Sequence, residues 1–265
     1  MPPRKKVVRK GHSKRIKRFE EEFDDYGLDP NATITVEELL NERRHLMAAT
    51  FTACFTLFFW IIAIGSSYWV TIDGGPDGIY MNHTKVTYFH GHMGLFRMCR
   101  SVLRHAWIDG KPSEEGVKEE CRYFYVSPNK VDYTTDSMLD RTILEYTRSQ
   151  IGFCCVSILL ILMAIAFSMY TFTQPRYMFK RLAGGVHFIT AGVMLVMIEI
   201  ASNTAHYERE HFHMRHPMHA SWSSGISYFL AWMCLLTFAG VGTMFMVYSR
   251  KRKLDIAADR DFSLS

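Results

Sequence analysis

Four long apolar stretches limit this chain more than any other feature. They run over about 46–71, 151–171, 182–203 and 225–248, and each is near the roughly 20 residues that carry a helix across a bilayer. The mean hydropathy of the whole chain is only −0.03, because the charged residues lie almost entirely between the apolar runs. One such run could be a buried core helix. Four leave too little polar chain among 265 residues to surround a soluble core, so the expectation is a four-span membrane protein. The third span is the weakest, since it opens on Gly184-Gly185 and contains Glu199.

Basic residues set the expected orientation. Lys and Arg crowd the N-terminal tail from Arg4 to Arg44, the turn with Arg176, Lys180 and Arg181, and the run Arg250–Lys253. The positive-inside tendency puts all three on the cytoplasmic face. The chain then divides into a cytoplasmic tail over 1–45, a membrane domain over 46–250 and a cytoplasmic tail over 251–265. Both termini lie inside, and the loops about 72–150 and 204–224 lie outside, at the plasma membrane. The first apolar run lies too deep in the chain and is too long for a cleaved leader, so it reads as a retained signal anchor.

The six cysteines sort by compartment. Cys54, Cys154, Cys155 and Cys234 fall inside the spans, where cysteine packs as a small apolar residue. Cys99 and Cys121 fall in the oxidising outer loop, where a disulfide is expected. Lys85–His90, Gly94–Cys99 and Cys121–Val126 read as strands beside them, with a polar excursion over 110–120 and a helix over 140–150 leading into span two. So little sheet needs the disulfide and the helices below it for stability. Asn82-His83-Thr84 is a glycosylation sequon on the outer side. Asn31-Ala32-Thr33 is another, on the inner side, where it is expected to go unused.

Several features read as ordinary. The basic run over 4–18 fits an arm on anionic lipid or a solvated tail, and both stay open. Thr35 and Glu38 form a capping-box pattern ahead of span one. Glu199 is expected to reach the interface from near the outer end of span three. His206, His211, His213, His216 and His219 fit no standard metal spacing and are expected in a solvated loop; no metal or cofactor is expected. Gly192, Ala201, Gly225, Gly240 and Gly242 allow close helix contact, either within the bundle or with a partner. No phosphate loop, zinc-protease motif or nucleophile elbow is present in the sequence, and the reading is of a protein that is not an enzyme.

Trp69 just after span one, Gly94-Leu95-Phe96, Cys99 and Cys121 together resemble the signature of the claudin, peripheral myelin protein and calcium-channel γ-subunit superfamily. Phe96 stands where that signature has Trp. The resemblance covers about 46–250. It implies a left-handed four-helix bundle carrying a small extracellular antiparallel β-sheet. The long gap between the cysteines, the sequence Gly94-Leu95-Phe96-Arg97-Met98-Cys99, and Ser221-Trp222-Ser223 as the opening of span four look most like the skeletal-muscle-type calcium-channel γ subunit. The glutamate-receptor regulatory branch has paired cysteines where this chain has Cys99-Arg100. The resemblance thus implies an auxiliary subunit that binds the pore-forming subunit of a voltage-gated calcium channel, or another channel or receptor, within the membrane. A claudin-type cell-junction protein and a glutamate-receptor regulatory protein are the alternatives.

Overall fold

A computed structural model describes residues 36–82, 84–108, 111–114, 116–124, 126, 140–173, 177–212 and 215–263. The tail over 4–18, Asn31, Thr35, Arg176 and His213 therefore lie outside the described residues.

Four helices carry the membrane domain: α1 (Val36–Gly65), α2 (Arg141–Thr173), α3 (Tyr177–His211) and α4 (Ile226–Ser263). All four are long and apolar enough to cross a bilayer. Asp140 starts α2 by accepting the Thr142 backbone N–H on Oδ1 at 3.2 Å, the bond that an N-cap supplies to an otherwise orphan donor.

The helices close on each other through an apolar core crossed by a few polar links. Ala53, Trp60, Ile161, Met194, Met197, Ile198, Ala231 and Phe238 fill it. Trp60 Nε1 donates to Ser157 Oγ at 2.9 Å, joining α1 to α2. Gln150 Nε2 donates to Thr204 Oγ1 at 3.0 Å, and Ser168 Oγ meets His187 Nε2 at 2.8 Å, joining α2 to α3 twice. Polar side chains in apolar surroundings need such partners. α3 and α4 approach closely at Gly184 and Gly242, where a Cβ on Gly184 would stand 3.1 Å from the Gly242 carbonyl oxygen.

Span one ends earlier than its hydropathy suggests. The helix stops at Gly65, and Val70–Asp73, part of the apolar run expected to reach Thr71, forms strand β1. The loop between α1 and α2 adds β2 (Ile79–Met81), β3 (Val86–Met93), β4 (Arg97–Ile108), β5 (Lys111–Glu114) and β6 (Lys118–Tyr123). Gly94–Phe96 is a turn rather than strand, and part of the expected polar excursion is β5 and β6. Ser221-Trp222-Ser223 belongs to β7 (Ser221–Ser224) rather than to the opening of span four.

Strands β3 and β4 are the spine of this antiparallel sheet. β1 and β2 share the far edge of β3, and β6 and β5 share the far edge of β4. β7 flanks β1. Gly75 and Gly78 bend the chain from β1 to β2 with positive φ values of 82° and 68°, a conformation glycine adopts without steric cost. One face of the sheet buries Ile72, Met81, Val86, Tyr88 and Val102. The fold is a four-helix membrane bundle with a small antiparallel β-sheet at one end.

Candidate functional site

The signature residues meet where the sheet sits on the bundle. Trp69 is buried, packs in the bundle core with Leu95, and donates from Nε1 to the Ala63 carbonyl at 2.7 Å. That carbonyl is in the last turn of α1, where helix acceptors have no partner within the helix. The Trp69 backbone ties three elements together. Its N–H donates to Met93 O at 3.0 Å, and its carbonyl accepts the Gly225 N–H at 2.8 Å ahead of α4.

Gly94 and Leu95 form the other half of the seat. A Cβ on Gly94 would overlap Ser66 O and stand 2.5 Å from Ser67 Cα. The backbone of the β3–β4 turn can therefore lie directly on the end of α1. Gly94 also donates to Arg97 O at 2.9 Å. Leu95 is only 1% exposed. Phe96 is half-buried, packs against the same core, and accepts the Phe124 N–H on its carbonyl at 2.9 Å. An aromatic ring is retained at this position, and its backbone secures the chain leaving β6.

Cys99 and Cys121 form a disulfide with an S–S distance of 2.02 Å. They face each other across β4 and β6; Cys99 is buried and Cys121 exposed. Next to them Glu120 receives Arg104 Nε at 2.7 Å and Arg100 Nη2 at 3.1 Å. Partial burial would raise the Glu120 pKa, but the two guanidiniums hold it below the usual carboxylate value. His92 stacks on Tyr68 with ring centroids 4.2 Å apart. Desolvation lowers the His92 pKa below the ordinary imidazole value, against an opposing pull from Glu119.

The ligand-type groups of His92, Cys99 and Glu119 lie within 4.8 Å of one another. The Cys99 sulfur is bonded to Cys121, which leaves a His–carboxylate contact of 3.8 Å and no metal-ligand set at that position.

The second loop differs from its expected form. Helix α3 runs on to His211, so 204–211 is helical. The histidines do not share one solvated environment: His206, His211 and His219 are exposed, but His216 is buried. Glu208 is fully buried, with Oε1 receiving Arg215 Nη1 at 3.1 Å and Oε2 meeting His216 Nε2 at 3.0 Å. Trp222 of β7 covers His216 edge-on at 4.9 Å. This cluster was missed in the sequence because the residues from Thr204 onward look like polar loop. The helical spacing of Ala201, Ala205, Glu208 and Phe212, all buried, is the signal that finds it.

The other expected positions separate by role. Asn82 is exposed in the turn after β2. Gly242 and Gly225 serve contacts within the chain, and a Cβ on Gly225 would overlap the Tyr68 carbonyl. Ala201 is buried in the core. Gly192 and Gly240 are exposed, and a Cβ on either would meet nothing within 4 Å. Glu199 is exposed, with the helix continuing three turns beyond it to His211.

The geometry assigns Trp69, Gly94, Leu95, Phe96 and the disulfide to holding a sheet on a four-helix bundle. No curated protein matches the sequence closely enough to name a nearer relative. Residues 54–247 match the family model described as PMP-22/EMP/MP20/Claudin tight junction, and with this seat and this bundle the chain belongs to that family.

Proposed function

We propose that the chain is an auxiliary subunit of a voltage-gated calcium channel, of the γ type. In this reading it lies in the plasma membrane with both termini cytoplasmic, carries a glycan on Asn82, and binds the pore-forming subunit laterally. The wide Cys99–Cys121 gap, Gly94-Leu95-Phe96-Arg97-Met98-Cys99 and Ser221-Trp222-Ser223 support the γ branch within the family. A partner of this kind alters gating only by binding one channel state more tightly than another.

The observation that carries lateral association is one face of α3. Gly185, Ile189, Gly192, Val196, Glu199 and Asn203 follow each other at three- and four-residue steps, so they share a helix face. A Cβ at Gly185 or Gly192 would meet nothing within 4 Å among the described residues. Glycine in a helix interior costs about 1 kcal/mol relative to alanine, and no contact among the described residues requires it here. Close approach of a second helix is the use such positions serve in membranes. The signature residues Trp69, Leu95 and Cys99 are buried, so contact with a partner falls to other, exposed residues.

The test is co-expression with a calcium-channel pore-forming subunit. The expected result is a shift in the voltage or rate of inactivation, with no current from this protein alone. Gly185→Leu with Gly192→Leu is expected to abolish the shift and co-purification while leaving surface delivery intact. Unchanged currents, with strand-like networks at contacts between expressing cells, would support the junction role instead.

A further inference from the structure

A cavity of about 240 Å³ opens where the sheet meets α3 and α4. It exceeds the roughly 150 Å³ of an apolar cavity that accepts benzene. Its buried lining is mainly apolar, with Trp69, Leu95, Ala201 and Ala205, and includes the polar Gln150 and Thr204. Ser202 and Arg209 of α3 and Ser223 and Ser224 of β7 also line it and are exposed, which places its mouth between α3 and β7. The Trp69 and Leu95 side chains lie in the bundle core with Ile64 near the end of α1. The cavity therefore sits at the level of the membrane interface on the sheet side.

Two polar groups at this cavity are uncommitted. Arg209 makes no hydrogen bond or ion pair among the described residues, although its guanidinium carries five donors. His206, the other basic residue of the lining, is already paired with Glu210 at 3.2 Å, and no carboxylate lines the cavity. Gln150 is 3% exposed and borders the cavity. Its Nε2 is held by Thr204, and its amide oxygen accepts no hydrogen bond among the described residues. An acceptor on a side chain that lines the cavity can take a donor from whatever fills the space.

We infer that this cavity binds a single phospholipid from the leaflet on the sheet side. Its phosphate lies against Arg209, one acyl chain on the apolar wall, and a free hydroxyl or amide N–H beside the phosphate donates to Gln150. A guanidinium suits phosphate through paired N–H bonds. The wall suits a chain and offers no second charge. A sterol would leave Arg209 unused, and a free fatty acid would leave Gln150 without a donor. Sphingomyelin and lysophospholipids both carry phosphate, chain and donor.

The test uses the full chain in nanodiscs of equimolar dioleoylphosphatidylcholine, sphingomyelin and cholesterol, with retained lipids read by native mass spectrometry. The expected result is one retained phospholipid, with sphingomyelin favoured at least threefold over dioleoylphosphatidylcholine. Arg209→Ala should lower retention about tenfold and Arg209→Lys much less. Gln150→Leu should remove the preference while keeping retention, with the intact disulfide on a non-reducing gel as the folding control. A second titration with lysophosphatidylcholine distinguishes the two sources: tighter retention than sphingomyelin assigns the site to a single-chain lipid. Equal retention by wild type and Arg209→Ala, or retention of cholesterol in place of phospholipid, overturns the inference. Retention that depends on Arg209 but shows no preference between the phospholipids overturns the role given to Gln150.

Discussion

Trp69 Nε1 donates to the carbonyl of Ala63 at 2.7 Å, so the first residue of the family signature caps the end of the helix that precedes it. The bond turns the indole back under the sheet while its ring fills the bundle core beside Leu95. Trp69→Phe keeps most of the ring and removes the donor. The expected loss is about 1–3 kcal/mol, the cost of a buried carbonyl without its partner. Trp69→Ala also opens a cavity and is expected to cost about 3–5 kcal/mol. Thermal unfolding in mild detergent, followed by size-exclusion fluorescence, should rank wild type above the Phe variant and the Phe variant above Ala. Equal melting of wild type and Trp69→Phe would remove the capping role.

The disulfide joins residues 22 positions apart. By the chain-entropy estimate that closure contributes about 3 kcal/mol. Cys99→Ser, Cys121→Ser and the double variant are expected to lose similar amounts, because each breaks the same bond. All three should be retained in the secretory pathway. Surface biotinylation checks this, and full delivery of any one of them would contradict it.

Two glycines predict opposite signs. Gly225 sits where a Cβ would overlap the Tyr68 carbonyl, whereas a Cβ on Gly240 meets nothing within 4 Å. Gly225→Ala should destabilise by about 1–3 kcal/mol through backbone displacement. Gly240→Ala should stabilise the isolated protein by about 0.5–1 kcal/mol through helix propensity. Melting of the two variants side by side is the measurement, and a loss of stability at both positions would contradict the separation.

The sheet should weaken as the pH falls, in two stages. His92 has its folded pKa lowered by desolvation, so the unfolded chain takes up that proton first as the pH drops below about 6.5. Glu120 has its folded pKa held below the ordinary value by Arg104 and Arg100, against the opposing effect of burial. Its contribution is complete above the unfolded value and is lost as the pH falls through the folded value. His92→Gln should flatten the dependence between about pH 7 and 5. Glu120→Gln should flatten it only below about pH 4.5. Hydrogen exchange of β3, β4 and β6 across that range separates the two, and an unchanged profile in both variants would refute the assignment.

Much of this architecture was legible because a bilayer leaves a chain few choices. Backbone groups in hydrocarbon must be satisfied within each span, so the four apolar runs had to be helices. Compartment alone paired Cys99 with Cys121. The end of α1 was not legible, because Ser66–Thr71 continues the apolar and aromatic run. Only the Gly94 turn on Ser66 and Ser67 and the pairing of β1 with β3 show why the helix stops. Residues 204–211 misled for the opposite reason. Their charge reads as loop, but Ala205 and Glu208 face inward on a continuing helix. Whether an isolated histidine such as His216 is solvated or buried depends on Trp222 and Glu208, neither of which is its sequence neighbour.

That buried cluster makes the last prediction. Glu208 is fully buried and accepts from Arg215 on one oxygen and meets His216 on the other. It thereby fixes the return of the chain from α3 to β7. Removing the carboxylate leaves the Arg215 guanidinium buried without this counter-charge, and breaking such a pair from one side costs about 3–5 kcal/mol. Glu208→Gln keeps the shape and one acceptor oxygen, so it should cost less than Glu208→Ala. The local effect should be exposure of Trp222 as β7 detaches from β1. Tryptophan fluorescence with an aqueous quencher, compared in wild type and Trp222→Phe backgrounds, reports that step. Increased quenching in Glu208→Ala that disappears in the Trp222→Phe background is the expected outcome. Unchanged quenching and melting in Glu208→Ala would show that the cluster does not hold the second loop.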